Sequence, residues 1–119
     1  MRQLGVLEGV VMNELWSVGG SGTVREMVDR LRAQRDLAYT TILSTMGNLV
    51  DKGYLTRTSE GRAHRYHAVM SRAEYAAQLM RDAMMRGGDA DSVLLQFAGG
   101  LTLDQQDRLK KALEHPTGD

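Results

Sequence analysis

TVREMVDRLRAQRDLAYTTILSTMGNLVDKG, residues 23–53, is the stretch that decides the fold. It opens on Thr23-Val24-Arg25-Glu26, the form of a capping box: the Thr hydroxyl accepts from the N–H three residues on, and the Glu reaches back to the Thr N–H. Val24, Met27, Val28 and Leu31 then make an apolar stripe at helical spacing. Arg32-Ala33-Gln34-Arg35-Asp36 is a polar break. A second stripe of Ile42, Met46, Leu49 and Val50 predicts a helix from about Tyr39 to Lys52, with Gly53 as its C-terminal stop. A capped helix, a break and a second helix form the core of a helix-turn-helix unit. The break is longer than in the tightest version of that motif, as winged variants allow.

Working outward, Leu4, Leu7, Val11, Leu15 and Val18 fall on one face of a helix over residues 4–18. Gly19-Gly20-Ser21-Gly22 is expected to end it in a turn. On the other side, residues 54–58 and 64–69 are rich in β-branched and aromatic groups, and Ser59-Glu60-Gly61-Arg62 lies between them. They read as a β-hairpin. Ser71-Arg72-Ala73-Glu74 is a second capping box and opens a helix to about Arg86, ended by Gly87-Gly88. Residues 90–98 predict a short helix, broken by Gly99-Gly100. Thr102-Leu103-Asp104-Gln105 caps a last helix that Pro116 stops. The fold class expected is mainly α with a small β-hairpin: a winged helix-turn-helix DNA-binding domain over residues 1–70, then a helical dimerisation region over residues 71–119.

The second region carries apolar groups that the winged helix does not need: Tyr75, Leu79, Ala83, Val93, Leu94, Phe97, Leu101, Leu109 and Leu113. Short helices are marginal alone, and this much apolar surface would be exposed unless paired. A homodimer is expected, its interface within residues 71–114; the alternative is that these helices fold back on their own domain.

Composition removes several function classes. The chain of 119 residues suits one small domain, and a partner subunit would help it bury surface. There is no cysteine, which removes disulfides, thiolate metal sites and Cys nucleophiles together and suits a reducing, cytoplasmic setting. Neither a signal peptide nor a membrane span is visible. Ser21, Ser59 and Ser71 have no elbow or base motif around them, and no Lys-Ser/Thr follows the glycines at 19, 20 and 22 to make a phosphate loop. No enzymatic activity and no cofactor is expected. The eight methionines, with Met80 and Met84 one turn apart, read as flexible packing, and Trp16 and Tyr66 read as core.

The formal net charge is +0, yet charge is unevenly spread: nine basic against seven acidic side chains up to residue 67, six against eight after it. Arg57, Arg62 and Arg65 cluster with His64 and His67, and Glu60 is the one acid in that window. On such a wing, Arg62, His64 and Arg65 are the candidate phosphate contacts. His64 and His67 read as neighbours on one strand face, but no third ligand lies nearby in sequence, so no metal site is expected. On the helix from Tyr39, the residues opposite the apolar stripe are Thr40, Ser44, Gly47 and Asn48. A polar helix face is by default only solvated. As a groove-facing surface its small hydroxyls and Gly47 permit close approach, Asn48 can pair with adenine, and Thr methyls can touch a thymine methyl. The candidate DNA-binding residues here are Tyr39, Thr40, Thr41, Ser44 and Asn48.

Several of these stretches, taken together and in order, resemble the penicillinase-repressor (BlaI/MecI/CopY) family of winged-helix transcriptional regulators. They are Glu8…Val11-Met12…Leu15-Trp16, Thr23-Val24-Arg25-Glu26, Leu37-Ala38-Tyr39-Thr40-Thr41-Ile42 with Leu49, Lys52-Gly53 and Leu55, and the wing Arg62-Ala63-His64-Arg65-Tyr66. The resemblance covers residues 4–85 closely and the rest by pattern. It implies a dimeric repressor whose winged helices bind a palindromic operator on double-stranded DNA and whose C-terminal helices dimerise. In penicillinase-type members a sensor-linked peptidase signal leads to cleavage of the dimerisation region at an Asn-Phe bond; the corresponding pair here is Gln96-Phe97. Copper-type members use C-terminal cysteines, which this chain lacks. Two departures are plain: the family often has Arg where Asn48 stands and a basic residue where Asp51 stands. They motivate a competing reading, a winged-helix protein-interaction module that has lost DNA binding.

Overall fold

The structure, a computed structural model, describes residues 3–115; the expected stop at Pro116 lies outside them. Its elements are α1 (Val6–Ser17), β1 (Ser21–Thr23), α2 (Val24–Leu31), α3 (Tyr39–Asp51), β2 (Leu55–Glu60), β3 (Ala63–Ala68), α4 (Arg72–Arg86), α5 (Ala90–Gly99) and α6 (Leu103–Glu114). All three capping boxes form. The Thr23 hydroxyl accepts from the Glu26 N–H at 3.1 Å while Glu26 accepts from the Thr23 N–H at 3.0 Å. Ser71 with Glu74, and Thr102 with Gln105, repeat the arrangement at the starts of α4 and α6.

The chain divides into two compact units, Met1–Gln78 and Leu79–Asp119. In the first, the apolar stripes of α1, α2 and α3 meet: Met12, Leu15, Met27, Ile42, Met46 and Leu49 are fully buried, with Leu31, Tyr54, Leu55 and Tyr66 scarcely less so. The stripes of α2 and α3 are the ones the helical spacing sets out. In α1 only Val11 and Leu15 of the expected stripe are buried, Met12 joins them, and Leu4, Leu7 and Val18 are half-buried.

The strands form a three-stranded antiparallel sheet in the order β1-β3-β2. The β2–β3 hairpin turns at Gly61, whose φ of 62° is the left-handed region that tight hairpin turns require. Strand β1 is a difference from the expected turn: Ser21, Gly22 and Thr23 pair with His67, Tyr66 and Arg65. A Cβ on Gly22 would lie 2.8 Å from the Met27 Cε and 3.2 Å from the Leu15 Cδ1. Glycine is there because the sheet edge runs directly over the core.

A largely buried ion pair ties the end of α3 to the start of α1. The Lys52 Nζ donates to Glu8 Oε1 at 2.7 Å and to the Gln3 carbonyl at 3.1 Å, while Glu8 also accepts from the Gly5 N–H at 2.6 Å. A paired and hydrogen-bonded carboxylate is tolerated in such a place, and it fixes where α3 ends.

The second unit begins within α4. The Tyr75 ring, one of the residues expected in dimerisation, lies in the first unit. It lies 5.5 Å from the Trp16 ring centre and 5.7 Å from that of Tyr54, packed on the core. The first turns of α4 thus complete the winged helix, with the Tyr75 ring covering the aromatic surface of Trp16 and Tyr54. Trp16 also donates its indole N–H to the Met70 carbonyl at 2.9 Å.

Candidate nucleic-acid interface

Helix α3 is held by its buried stripe, so its opposite side is fixed outward. Tyr39, Thr40, Ser44 and Asn48 are exposed there. Leu43, which sequence reasoning passed over, joins them at 43% exposed. It stands outside the expected apolar stripe, about a quarter-turn away from Ile42 on the helical wheel. Thr41 differs from its neighbours: it is half-buried, and its carbonyl accepts from the hydroxyl of the buried Thr45 at 2.8 Å. Gly47 has open space where a side chain would stand, with nothing within 4 Å of a built Cβ.

The wing divides its charged residues between two faces. Opposed residues of an antiparallel pair share a face. Ser59↔His64 and Arg57↔Tyr66 therefore put His64 with Arg57 and Ser59 on the side of the buried Tyr66. Thr58↔Arg65 and Thr56↔His67 place Arg65 and His67 on the other side. The expectation that His64 and His67 share a face is corrected: three residues apart on a strand of period two, they point oppositely. Among the described residues no cluster of His, Cys, Asp or Glu could hold a metal ion. Arg57, outside the candidate phosphate contacts, shares a strand face with His64, which only the strand register reveals.

Arg65 is engaged on three sides. Its Nε donates to Glu60 Oε2 at 2.6 Å, its two terminal nitrogens donate to the Glu26 carboxylate at 3.2 Å each, and the Ser21 hydroxyl lies at 3.5 Å. The Glu60 contact, then the Glu26 pair, holds the guanidinium more firmly protonated than usual. Arg65 in turn holds the Glu60 carboxyl below its ordinary range. Glu26 is lowered first by the Thr23 N–H it caps and then by Arg65. Arg65 thereby joins the wing to the capped start of α2. Arg62, at the hairpin turn, is exposed and has no carboxylate partner among the described residues.

In the second unit the apolar side chains face out. None of the described residues of α4, α5 or α6 is buried. Leu79, Ala83, Leu94, Phe97, Leu109 and Leu113 are exposed, while Val93 and Leu101 are half-buried. Met80, Met85, Leu95 and Leu103 add to that surface, Leu103 at 83% and Leu95 at 72% exposed. Gln96 and Phe97 both lie on the surface of α5, inside the helix.

Three packed helices, a hairpin wing closed by a third short strand, and an outward helix face of small polar groups define a winged-helix DNA-binding module. A family model described as penicillinase repressor matches residues 4–115, and the chain belongs to that family of transcriptional regulators. It is 39% identical over 116 residues to the transcriptional regulator BlaI of Mycobacterium tuberculosis, covering 95% of this chain and 84% of that protein. A protein of 16.5 kDa from Latilactobacillus sakei is 37% identical over 67 residues, 56% of this chain and 45% of the other. Among solved structures, the DNA-binding domain of the repressor BlaI superposes with a TM-score of 0.54 at 26% identity, over 61% of this chain and 88% of that one. An organohalide-sensing transcriptional regulator crystallised with 2,4-dichlorophenol shares the fold, with a TM-score of 0.53 at 14% identity, over 94% of this chain and 62% of that one. No described helix is long and apolar enough to cross a membrane.

Proposed function

We propose that the protein is a dimeric, sequence-specific repressor that binds a palindromic operator through α3 and the wing and is released when its C-terminal helices are cut. The observation that carries this reading is the outward face of α3, where Thr40, Leu43, Ser44, Gly47 and Asn48 stand on a helix whose other side is locked into the core. In a major groove, Asn48 offers a bidentate amide to adenine, Leu43 and Thr40 offer apolar contact to thymine methyls, and Arg62 meets phosphate from the wing. Arg65 orients the wing through its two carboxylate partners.

Dimerisation is supported by a second unit without one buried residue in its described helices. A second copy of the same apolar surface is a self-complementary cover for it, and two winged helices then read two half-sites one or two helical turns apart. Cutting the Gln96–Phe97 bond would separate Phe97 and the whole of α6 from the rest. Peptidases act on extended backbone, so α5 must unwind locally first.

Gly47→Ala tests whether α3 enters a groove. An added methyl meets open space in the free protein and replaces a poor helix former, so folding stability should rise by about 0.5–1 kcal/mol. Operator binding should fall at the same time, because that methyl occupies the space of the closest approach to DNA. Urea unfolding and duplex titration of the same sample read the two effects. A variant that gains stability and binds as the parent does would remove α3 from the groove.

A further inference from the structure

From Tyr39 to Asp51, helix α3 has no lysine or arginine, and its last residue is acidic. A duplex is a dense line of phosphates, and attraction to it comes mainly from cations. Those cations must lie off the recognition helix. Several in the first unit are already engaged: Lys52 with Glu8, Arg30 with Glu14 at 3.0 Å, Arg65 with Glu26 and Glu60. Arg72 donates to the Asn13 carbonyl at 3.0 Å, its guanidinium 5.8 Å from the Trp16 ring centre.

Arg25 is different. It is the second residue of α2, exposed, and without a carboxylate partner among the described residues. Its guanidinium carbon sits 5.0 Å over the ring centre of Tyr39, the first residue of α3. We propose that Arg25, stacked on Tyr39, is a phosphate-binding residue that grips one backbone phosphate of the duplex where α3 enters the groove. The proposal rests on the reading that α3 binds DNA and adds to it the contact that supplies positive charge beside a helix without a cation. A guanidinium that lies over a ring by its face keeps its N–H edge for a second partner, and that planar fork matches two phosphate oxygens. The Tyr39 ring also holds a long side chain in one place, which lowers the entropy lost when the phosphate arrives. The two side chains belong to different helices, so the pair joins the start of α2 to the start of α3 at the same point.

The test is titration of the full-length protein with a random-sequence duplex across a salt series, for the parent, Arg25→Ala, Arg25→Lys, Tyr39→Leu and the Arg25→Ala/Tyr39→Leu double variant. Both side chains are exposed, so thermal melting should fall only slightly, by what an exposed cation–π contact contributes, and a fully folded variant at the titration temperature separates a binding change from unfolding. Arg25→Ala should flatten the salt dependence by about 0.9 per protomer, so that the affinity lost between 50 and 200 mM salt shrinks by about 3.5-fold per contact. Arg25→Lys should keep the slope but bind more weakly, since an ammonium keeps the charge without the fork. Tyr39→Leu should weaken the parent and add nothing to Arg25→Ala. A parent that does not bind duplex even at low salt would defeat the DNA reading itself. A parent that binds, with Arg25→Ala at the parental slope, would overturn the phosphate contact alone. Additive losses from the two substitutions would overturn the stacking role of Tyr39.

Discussion

A chain cut after Gln78 is expected to stay folded, to sediment as a monomer, and to bind a duplex with two half-sites about 10²- to 10⁴-fold more weakly than the full chain. The cut falls where the first compact unit ends, so the three-helix core and the sheet are all retained. It also keeps Tyr75 on Trp16 and Tyr54. A cut at residue 70, the boundary the sequence suggests, would strip that ring from the core and mix loss of stability with loss of dimerisation. What the cut at Gln78 removes is the outward apolar surface of Met80, Leu94, Leu95, Phe97 and Leu103. If that surface joins two copies, losing it makes the second half-site contact bimolecular and forfeits the effective concentration that linkage provides. Sedimentation beside anisotropy titration measures both. Equal affinity of the two proteins, or a full chain that is monomeric at micromolar concentration, would show that the C-terminal helices serve another end.

Asn48→Ala is expected to cost about 1–3 kcal/mol against the preferred base pair, which is about 5- to 150-fold in affinity, and to flatten discrimination at that position. The Asn48 side chain is exposed, and its backbone carbonyl accepts from the Lys52 N–H at 2.9 Å whatever side chain is present. Alanine is also the better helix former, so the fold should lose nothing. The check is titration of the variant against duplexes changed one base pair at a time. Binding every duplex as the parent does would mean that Asn48 does not read sequence. The neutral amide matters because no cation stands on this helix to take the part that a bidentate Arg plays at guanine.

What was legible in the sequence was local. Thr23 and Glu26, Ser71 and Glu74, and Thr102 and Gln105 each stand three residues apart, and their caps form because the geometry of one helical turn dictates it. The apolar stripes of α2 and α3 have the period of an α-helix and are buried as that period sets out. What was not legible came from pairings across the chain. Strand β1 is three residues, Ser21, Gly22 and Thr23, with little strand propensity of their own, and exists because β3 runs beside them. The Arg65 contact to Glu26 spans 39 residues of sequence, so the second carboxylate that holds this wing arginine cannot be read from the wing alone. Tyr75 reads as one more apolar residue of a later helix until the rings of Trp16 and Tyr54 are placed beside it. In the candidate interface, the outward face of α3 could be drawn from a helical wheel. The division of wing residues between two faces could not, because it needs the strand register.

Selection of bound duplexes from a random pool by the full-length protein addresses the central claim most directly. A two-fold dimer reading DNA through α3 predicts an enriched inverted repeat, with half-site centres about one or two helical turns apart and a base preference that changes in the Asn48→Ala protein. Recovery of duplexes with no common sequence, or of a single unrepeated site, would contradict it.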